Sequence, residues 1–290
     1  MESALNIEGL QVSFFTDEGR VRAVTGASLT LARGETLGLV GESGCGKSVL
    51  AMSVLRLIPD PPGRVEGGRI LFRGQDLLRV PAAELRAVRG KAVSMIFQEP
   101  ATALSPLHRI GAQLVEAQRF HGVRSRAAAR AAAAEWLHRV GIPDPAEGLR
   151  AWPHQLSGGM RQRVMIAMAL MLDPEALIAD EPTTALDVTI QAQILDLLRA
   201  LKKQESAVLL ITHNMGVIRE MCSRVAVMYA GEIVETGGVD ELFARPLHPY
   251  TEALLRSMPE LGAPGSRLPA IPGQVPSPLQ LADRLTALAL

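Results

Sequence analysis

The sequence predicts an α/β fold with a mainly parallel β-sheet, an antiparallel β region at its start and a helical region near its middle. Three observations support this prediction. Short apolar runs alternate with helix-like segments over residues 176–235, as in sheets that are covered by helices. A glycine-rich segment at 41–48 separates an apolar run from a stretch without helix breakers. Residues 106–175 have a helical pattern throughout.

The composition limits the class of protein. The chain has 290 residues, 48% of them hydrophobic and only 3% aromatic, so we expect a large aliphatic core. Lys+Arg and Asp+Glu both total 30, which gives no electrostatic argument for a nucleic-acid partner. Cys45 and Cys222 form neither a disulfide framework nor a metal cluster, which favours a reducing compartment. The sequence shows neither a signal-peptide pattern nor an apolar run of about 18 residues, so we expect no membrane-spanning segment.

Individual elements follow from apolar runs and from breakers. The predicted strands are 7–15, 21–31, 36–40, 69–72, 92–97, 176–179, 207–211, 224–229 and 233–234. The predicted helices are 49–57, 81–89, 124–140, 190–201, 216–222 and 250–257. The arginines of the helix at 124–140 are interpreted as a solvated surface. We expect a loop at 58–68, where Pro and Gly cluster, and a loosely packed, Pro-rich tail after 246.

The segment at 41–48 matches the phosphate-binding motif G-x-x-x-x-G-K-[ST]. Its residues are Gly41, Glu42, Ser43, Gly44, Cys45, Gly46, Lys47 and Ser48. The glycines let backbone N–H groups point inward, and the start of the following helix favours an anion. Lys47 supplies an ammonium group for the β- and γ-phosphates, and Ser48 supplies a hydroxyl for Mg²⁺. A chance glycine turn is the alternative, and the flanking strand and helix argue against it.

Two aromatic residues, Phe14 and Phe15, lie about 26 residues before the phosphate loop. One of them is a candidate for stacking on an adenine ring. The alternative is that at least one belongs to the hydrophobic core, and the sequence leaves both interpretations open.

Five further features occur in a fixed order along the chain. They are Gln98 at a strand end, the run 156–163, Asp180-Glu181 after an apolar strand, Asp187, and His213 at another strand end. Their order and spacing, together with the phosphate loop, resemble the ATP-binding-cassette (ABC) ATPases over about residues 5–240. The resemblance implies a P-loop NTPase fold of the ABC cassette type, with ATP and Mg²⁺ as cofactors.

The resemblance also implies roles for these residues. Asp180 and Gln98, together with Ser48, are expected to hold Mg²⁺. Glu181 is expected to polarise the attacking water as general base, and His213 to contact the γ-phosphate and position Glu181. Without the resemblance, an adjacent Asp-Glu pair is more typical of a solvated turn, and a lone His of a structural hydrogen bond.

The stretch Ser157-Gly158-Gly159 opens a helix and forms a second potential anion site. It carries no lysine and follows no strand, so it cannot form a whole phosphate site. The family resemblance implies that it completes the nucleotide site of an opposite subunit, with two cassettes arranged head to tail and Asp187 at their interface. Met160 stands where many family members have Gln, and we expect nucleotide binding to survive this change.

Several short sequence segments narrow the resemblance to a subfamily. The phosphate loop, the run 180–189 and the tail segments His248-Pro249-Tyr250 and 268–273 are similar to the ATPase subunits of oligopeptide, dipeptide and nickel importers. This implies a cassette at 1–245, with a helical subdomain at about 99–175, and a C-terminal extension at 246–290. His-Pro-Tyr is equally consistent with a plain proline turn before a helix.

The resemblance implies a function and a set of partners. We expect an ATP-hydrolysing subunit that energises a membrane importer of di- or oligopeptides. Importers of nickel or another small solute, and a cassette ATPase unrelated to transport, are the alternatives. The implied partners are a second ABC ATPase subunit, identical or different, two transmembrane permease subunits and an extracytoplasmic solute-binding protein, with no nucleic acid. The implied location is the cytoplasmic face of the inner membrane.

Three further expectations concern single segments. Residues 99–125 either receive a coupling helix of a permease or form subdomain core. No cysteine follows Cys222, so we expect none of the iron–sulfur clusters that some relatives carry in this extension. Asn214 follows His213 where relatives usually have Asp, and we expect this to alter a contact at the dimer interface.

Overall fold

The computed structural model describes residues 2–123, 125–184 and 186–257. They form two compact units. The first unit draws on Met1–Pro81 and Ala207–Leu290, and the second is Ala82–Ser206. The α/β class and the mainly parallel character of the central strands are confirmed. The domain limits predicted at 99, 175 and 245 stay predictions.

The first unit begins with an antiparallel sheet. In chain order, the first elements of this unit are β1 (Ser3–Thr16), β2 (Gly19–Ala32), β3 (Thr36–Val40), α1 (Lys47–Val54), β4 (Gly63–Phe72) and β5 (Gln75–Asp76). Strands β1, β2, β4 and β5 form the antiparallel sheet. The strand order β2-β1-β4-β5 is antiparallel throughout. Leu5, Ile7, Leu10 and Val12 of β1 are almost completely buried, and the register shift between Ile7 and Leu10 lets both pairs of side chains face the core.

The loop predicted at 58–68 is wrong in its second half, because β4 begins at Gly63. Gly68, in this second half, permits a close approach of two strands within the sheet. A Cβ on Gly68, where φ is +94°, would lie 2.6 Å from the Leu10 Cα atom. The β1–β4 register shifts between Glu8 and Gln11, beside this contact. Glycine therefore marks an irregular strand here, a role that the sequence pattern does not distinguish from a loop.

The second unit is mostly helical. Its elements are α2 (Ala82–Val88), β6 (Val93–Ile96), α3 (Pro100–Ala103), α4 (Ile110–Phe120), α5 (Arg126–Arg139), α6 (Pro145–Gly148), a 3₁₀ turn (Pro153–Gln155), α7 (Gly158–Leu170), β7 (Ala176–Asp180) and α8 (Val188–Leu201). Strands β6 and β7 pair in parallel. Arg126, Arg130 and Arg139 of α5 are exposed, which confirms their interpretation as a solvated face.

The chain then returns to the first unit. The remaining elements are β8 (Ala207–Ile211), α9 (Met215–Met221), β9 (Arg224–Tyr229), β10 (Glu232–Gly238), α10 (Val239–Ala244) and α11 (Pro249–Arg256). Strand β3 lies between β8 and β9 and is parallel to both, while β10 pairs with β9 in the antiparallel sense. Leu39 is opposite Ile211, and Val40 is opposite Val227. The carboxyl ends of these strands therefore lie at one edge, where β3 enters the phosphate loop.

The start of the tail is well packed, contrary to the loose packing expected from its prolines. Tyr250, Thr251 and Leu255 of α11 are buried. Tyr250 and Leu255 join a core cluster that includes Val40 and Ile218. The apolar face of α11 explains the difference, because burying it offsets the ordering of the segment. The later prolines and the segment 268–273, also used for the subfamily resemblance, lie outside the described residues.

Candidate nucleotide site

The phosphate loop follows β3, and its glycines are required by close backbone contacts. Gly41, Gly44 and Gly46 have φ values of +151°, +83° and +108°, in the region that side chains rarely adopt. A Cβ on Gly41 would lie 2.1 Å from the Met228 carbonyl oxygen. One on Gly46 would lie 2.3 Å from the carbonyl oxygen of Ala23. The loop therefore keeps its shape only with glycine at 41 and 46.

Lys47 is held inside this loop. Its Nζ donates hydrogen bonds to the carbonyl oxygens of Gly41 and Glu42, both at 2.8 Å. The side chain is only 5% exposed. Burial raises the pKa of the neighbouring Cys45 thiol, although the Lys47 charge opposes the shift. Cys45 is therefore a neutral, packed thiol, and Lys47 supplies the buried cation of the loop.

The start of α1 adds to this positive character. The helix begins at Lys47 and has no acidic residue in its first turn, so its N-terminal partial charge is not neutralised. Ser48 is half-buried in the same turn, and Ser43 and Gly44 are exposed. The Ser48 hydroxyl is a hard oxygen donor, the type that Mg²⁺ prefers. This geometry suits a phosphate group with an associated cation.

His213 lies at the same edge of the first unit's sheet. Strand β8 ends at Ile211, and the Thr212 N–H donates to the Leu39 carbonyl at 3.3 Å. His213 follows with an exposed side chain. The next residue, Asn214, caps α9 by accepting from the Val217 N–H at 3.2 Å. Asp caps helices equally well, so within this chain the change from Asp to Asn preserves the cap.

Glu181 has defined partners in the second unit. It follows Asp180, the last residue of β7, and adopts a positive φ of 45°. The Gln98 Nε2 donates to its Oε2 at 3.1 Å, and the Thr184 Oγ1 donates to the same oxygen at 2.7 Å. Asp180 is only 3% exposed. Gln98, which follows β6, is thus brought to Glu181 by the parallel pairing of β6 with β7.

Sequence reasoning missed the groups that support Glu181. Thr184 contacts the carboxylate directly. The Gln162 side chain of α7 donates to the Pro182 carbonyl, and Gln191 of α8 donates to the Thr183 hydroxyl at 3.0 Å. These contacts hold the segment after Glu181 against two helices. The only available signal was the polar pair Thr183-Thr184 directly after Asp-Glu-Pro.

The starts of α7 and α8 meet on the surface of the second unit. The Ser157 Oγ accepts from the Met160 N–H at 3.3 Å, and the Asp187 Oδ1 accepts from the Ile190 N–H at 2.9 Å. A Cβ on Gly159 would lie 3.2 Å from the Ile190 Cγ2. Ser157, Gly158 and Asp187 are exposed. The structure therefore joins the predicted second anion site and Asp187 into one surface, and it adds a capping role for Asp187.

Neither N-terminal phenylalanine is fully buried. Phe15 is 49% exposed, and the Arg20 guanidinium lies 6.0 Å from the centroid of its ring. Phe14 is half-buried, and a Cβ on Gly63 would lie 2.8 Å from its Cε1. Phe14 therefore contacts the sheet, and the exposed ring of Phe15 remains a candidate for adenine stacking.

The segment 99–125 divides between core and surface. Leu104 is 1% exposed and belongs to the core of the second unit, whereas Leu107 is 78% exposed. Core packing is therefore confirmed for Leu104, and the contact of this segment with a permease coupling helix stays a prediction.

The predicted site residues fall into three groups. The first unit contains the phosphate loop and His213. The second contains Gln98, Asp180 and Glu181 and, separately, the surface formed by Ser157, Gly158, Gly159 and Asp187. Within the described part of the chain, no three residues among His, Cys, Asp and Glu form a cluster that would hold a metal ion. The predicted Mg²⁺ donors are Ser48 in the first unit and Gln98 and Asp180 in the second, and their hydroxyl, amide and carboxylate oxygens are ligand types that Mg²⁺ takes.

Two protein families match the chain. The ABC transporter family matches residues 24–184, which include the phosphate loop, Gln98 and Glu181. The family described as the C-terminal region of oligopeptide/dipeptide transporters matches residues 234–283, which include α11.

Individual relatives cover most of the chain. A probable peptide ABC transporter ATP-binding protein of Sinorhizobium fredii is 54% identical over 94% of this chain and 82% of its own length. The dipeptide transport ATP-binding protein DppD of Bacillus subtilis is 52% identical over 95% of this chain and 83% of its own. The Escherichia coli DppD is 49% identical over 94% and 83%.

Solved structures show the same fold. A dimeric ATP-binding cassette in a post-hydrolysis state, bound to ADP and Pi, superposes with a TM-score of 0.72 at 26% identity, covering 81% of this chain and 98% of that one. Sequence, site and fold agree, and the chain therefore belongs to the ABC transporter family.

Proposed function

We propose that this chain is the ATP-hydrolysing subunit of a membrane importer for di- or oligopeptides. Family membership makes it an ATP-binding cassette ATPase. The observation that carries the peptide assignment is its identity of about one half, along at least 94% of its length, to proteins named for dipeptide and oligopeptide transport. The matching C-terminal region supports the same class of cargo.

The phosphate loop binds the phosphates of ATP in this proposal. The Lys47 ammonium gives up or shares its hydrogen bonds to the two carbonyl oxygens and pairs with phosphate oxygens instead. A hydrogen bond between two charged groups is stronger than one to a neutral carbonyl. The N–H groups of the loop and of the first turn of α1 donate to the same anion. Ser48, Gln98 and Asp180 would hold the Mg²⁺ that neutralises phosphate charge.

Glu181 acts as the general base. Its carboxylate is oriented by the Gln98 amide and the Thr184 hydroxyl, and in this orientation it takes the proton of the attacking water. General base catalysis of this kind contributes about 10²–10⁴-fold in rate. His213, exposed at the end of β8, contacts the γ-phosphate and positions Glu181.

The surface of Ser157, Gly158, Gly159 and Asp187 completes the nucleotide site of a second cassette. Its helix N-termini present N–H groups to an anion, and the adjacent Val188 is 82% exposed, as suits an interface residue. The solved cassette with the same fold is dimeric. The second cassette is either a copy of this chain or a different subunit.

The described residues include no helix with the length and apolarity needed to cross a bilayer. Membership of a peptide importer implies permease subunits. We propose two of them, together with an extracytoplasmic solute-binding protein, and a location at the cytoplasmic face of the inner membrane. Leu107, exposed near the start of the second unit's helices, is our candidate contact for a permease coupling helix.

Reconstitution tests this proposal. The full chain is assembled in proteoliposomes with the permeases and the solute-binding protein of a peptide importer, and phosphate release is followed. We expect a dipeptide or oligopeptide to stimulate hydrolysis severalfold, while Ni²⁺ complexes have no effect. Stimulation by Ni²⁺ alone would replace the peptide assignment by nickel import. Recovery of the chain with ribosomes or DNA instead of permease-containing membranes would refute a role in transport.

A further inference from the structure

The C-terminal helix α11 reaches the phosphate loop through one hydrogen bond. The Glu42 N–H donates to the Tyr250 hydroxyl oxygen at 2.9 Å, although the two residues are 208 positions apart. Tyr250 is only 7% exposed. Both residues belong to the first unit. The third residue of the His-Pro-Tyr segment therefore contacts the nucleotide-binding loop itself, which a plain proline turn does not explain.

Glu42 in turn determines where Lys47 is held. Its carbonyl oxygen accepts from the Lys47 Nζ at 2.8 Å and from the Cys45 N–H at 3.3 Å. Tyr250 thus fixes the N–H of Glu42 while Lys47 binds its carbonyl. The Glu42 N–H and the Gly41 carbonyl belong to one planar peptide unit, so the hydroxyl of Tyr250 restrains the Gly41 carbonyl, which also accepts from the Lys47 Nζ at 2.8 Å.

Tyr250 is itself held firmly. The Glu235 carboxylate of β10 accepts from the N–H groups of Leu247 and His248, at 2.8 and 3.0 Å. The His248 Nδ1 then accepts from the Tyr250 N–H at 3.1 Å and caps α11. The ring of Tyr250 packs on that of Tyr229, with centroids 4.5 Å apart. These contacts together hold the Tyr250 ring beside the phosphate loop.

The chemistry of the hydroxyl suits a permanent contact. Burial raises the pKa of Tyr250 well above its ordinary value. The group therefore stays a neutral hydroxyl, which accepts a hydrogen bond from a backbone N–H.

We propose that Tyr250 is a positioning residue for ATP binding, which acts through Glu42 and Lys47 to preorganise the phosphate loop. The inference rests on the proposed binding of ATP by this loop. Preorganisation strengthens binding because less ordering remains when the ligand arrives. The C-terminal extension thereby contributes to the nucleotide site directly and not only as an attachment to the cassette.

Tyr250→Phe tests the inference, since it removes the hydroxyl and keeps the ring. Tyr229→Phe is the matched control, because it removes the neighbouring hydroxyl, which is not the one that Glu42 binds. The dissociation constant of the full chain for ATP is measured for both variants and the wild type, together with KM and kcat for hydrolysis. We expect Tyr250→Phe to raise the dissociation constant and KM roughly threefold to tenfold, the factor that one hydrogen bond contributes, with kcat and the melting temperature close to those of Tyr229→Phe.

A second variant tests whether the hydrogen bonds at the start of α11 affect ATP binding through Tyr250. Glu235→Gln weakens the anchor of α11, which is the pair of hydrogen bonds that Glu235 accepts from the N–H groups of Leu247 and His248. Residue 235 is far along the chain from the phosphate loop. If this anchor acts through Tyr250, the Glu235→Gln and Tyr250→Phe effects on ATP affinity will be less than additive in the double variant.

Two results distinguish a failure of the positioning role from a failure of the proposed ATP binding. If wild type and Tyr250→Phe bind ATP equally well, within twofold, the positioning role is refuted while the proposed function stands. If the wild type does not bind ATP at all, the proposed use of the phosphate loop is refuted, and the inference with it.

Discussion

Gly44 and Gly46 allow a prediction in which the structure separates two similar substitutions. Both residues have positive φ, so alanine at either position costs about 1–3 kcal/mol in backbone strain. A Cβ on Gly44 meets nothing within 4 Å. On Gly46 it would lie 2.3 Å from the Ala23 carbonyl oxygen and 2.9 Å from the Met228 Cε. Overpacking of this kind adds about 1–3 kcal/mol, because β2 cannot move aside without disturbing its sheet.

We therefore expect the free energy of unfolding of Gly46→Ala to be lower than that of Gly44→Ala by about 1–3 kcal/mol. At a urea dependence of about 2–3 kcal/mol per M, this shifts the midpoint by roughly 0.3–1.5 M. The assay is urea unfolding of the nucleotide-free chain, followed by far-ultraviolet circular dichroism.

Tryptophan fluorescence supplies an internal control for this assay. Trp136 and Trp152 both lie in the second unit, whereas the two glycines lie in the first. The fluorescence transition distinguishes a local loss of stability from unfolding of the whole chain. Equal unfolding midpoints for the two alanine variants would refute the predicted clash at position 46. Backbone strain at positive φ, which both positions share, would then explain the whole loss of stability.

Three further predictions address charge. Glu181→Gln should retain ATP binding and lower turnover by about 10²–10⁴-fold in a phosphate-release assay, and normal hydrolysis would remove Glu181 from its role as general base. Lys47→Ala should weaken ATP binding by roughly one to two orders of magnitude, as expected for a lost charged hydrogen bond; unchanged affinity in a competition titration would argue against the loop as the phosphate site. The pKa of Glu235 is lowered, since hydrogen bonds that include those from the Leu247 and His248 N–H groups outweigh the opposing effect of burial. Its contribution to stability is therefore present above about pH 4.5 and lost as the pH falls through the folded-state pKa. Glu235→Gln should lower the melting temperature more at pH 7 than at pH 4, and an equal loss at both pH values would contradict this origin of the shift.

The central strands and the phosphate loop were predictable because their signals are local. The strand at 36–40 and the strand at 207–211 have the bounds that the apolar runs predicted. Gly41 and Gly46 were correctly assigned to a tight loop from the motif alone. The helix α10 (Val239–Ala244) was missed: it is short, and packing of Val239 and Leu242 into the core compensates for a weak sequence pattern.

The sequence by itself determined the fold class, the phosphate loop and the identity of the acidic pair Asp180-Glu181, since each depends on residues that are neighbours along the chain. Only the tertiary structure decided that Tyr250 holds Glu42 and that Gln98 reaches Glu181 across 83 positions. Contacts of that kind form when sheets and helices close long loops of chain, and the entropy of that closure is offset by burial of the whole core. No local pattern of residues encodes which two distant side chains the core will bring together.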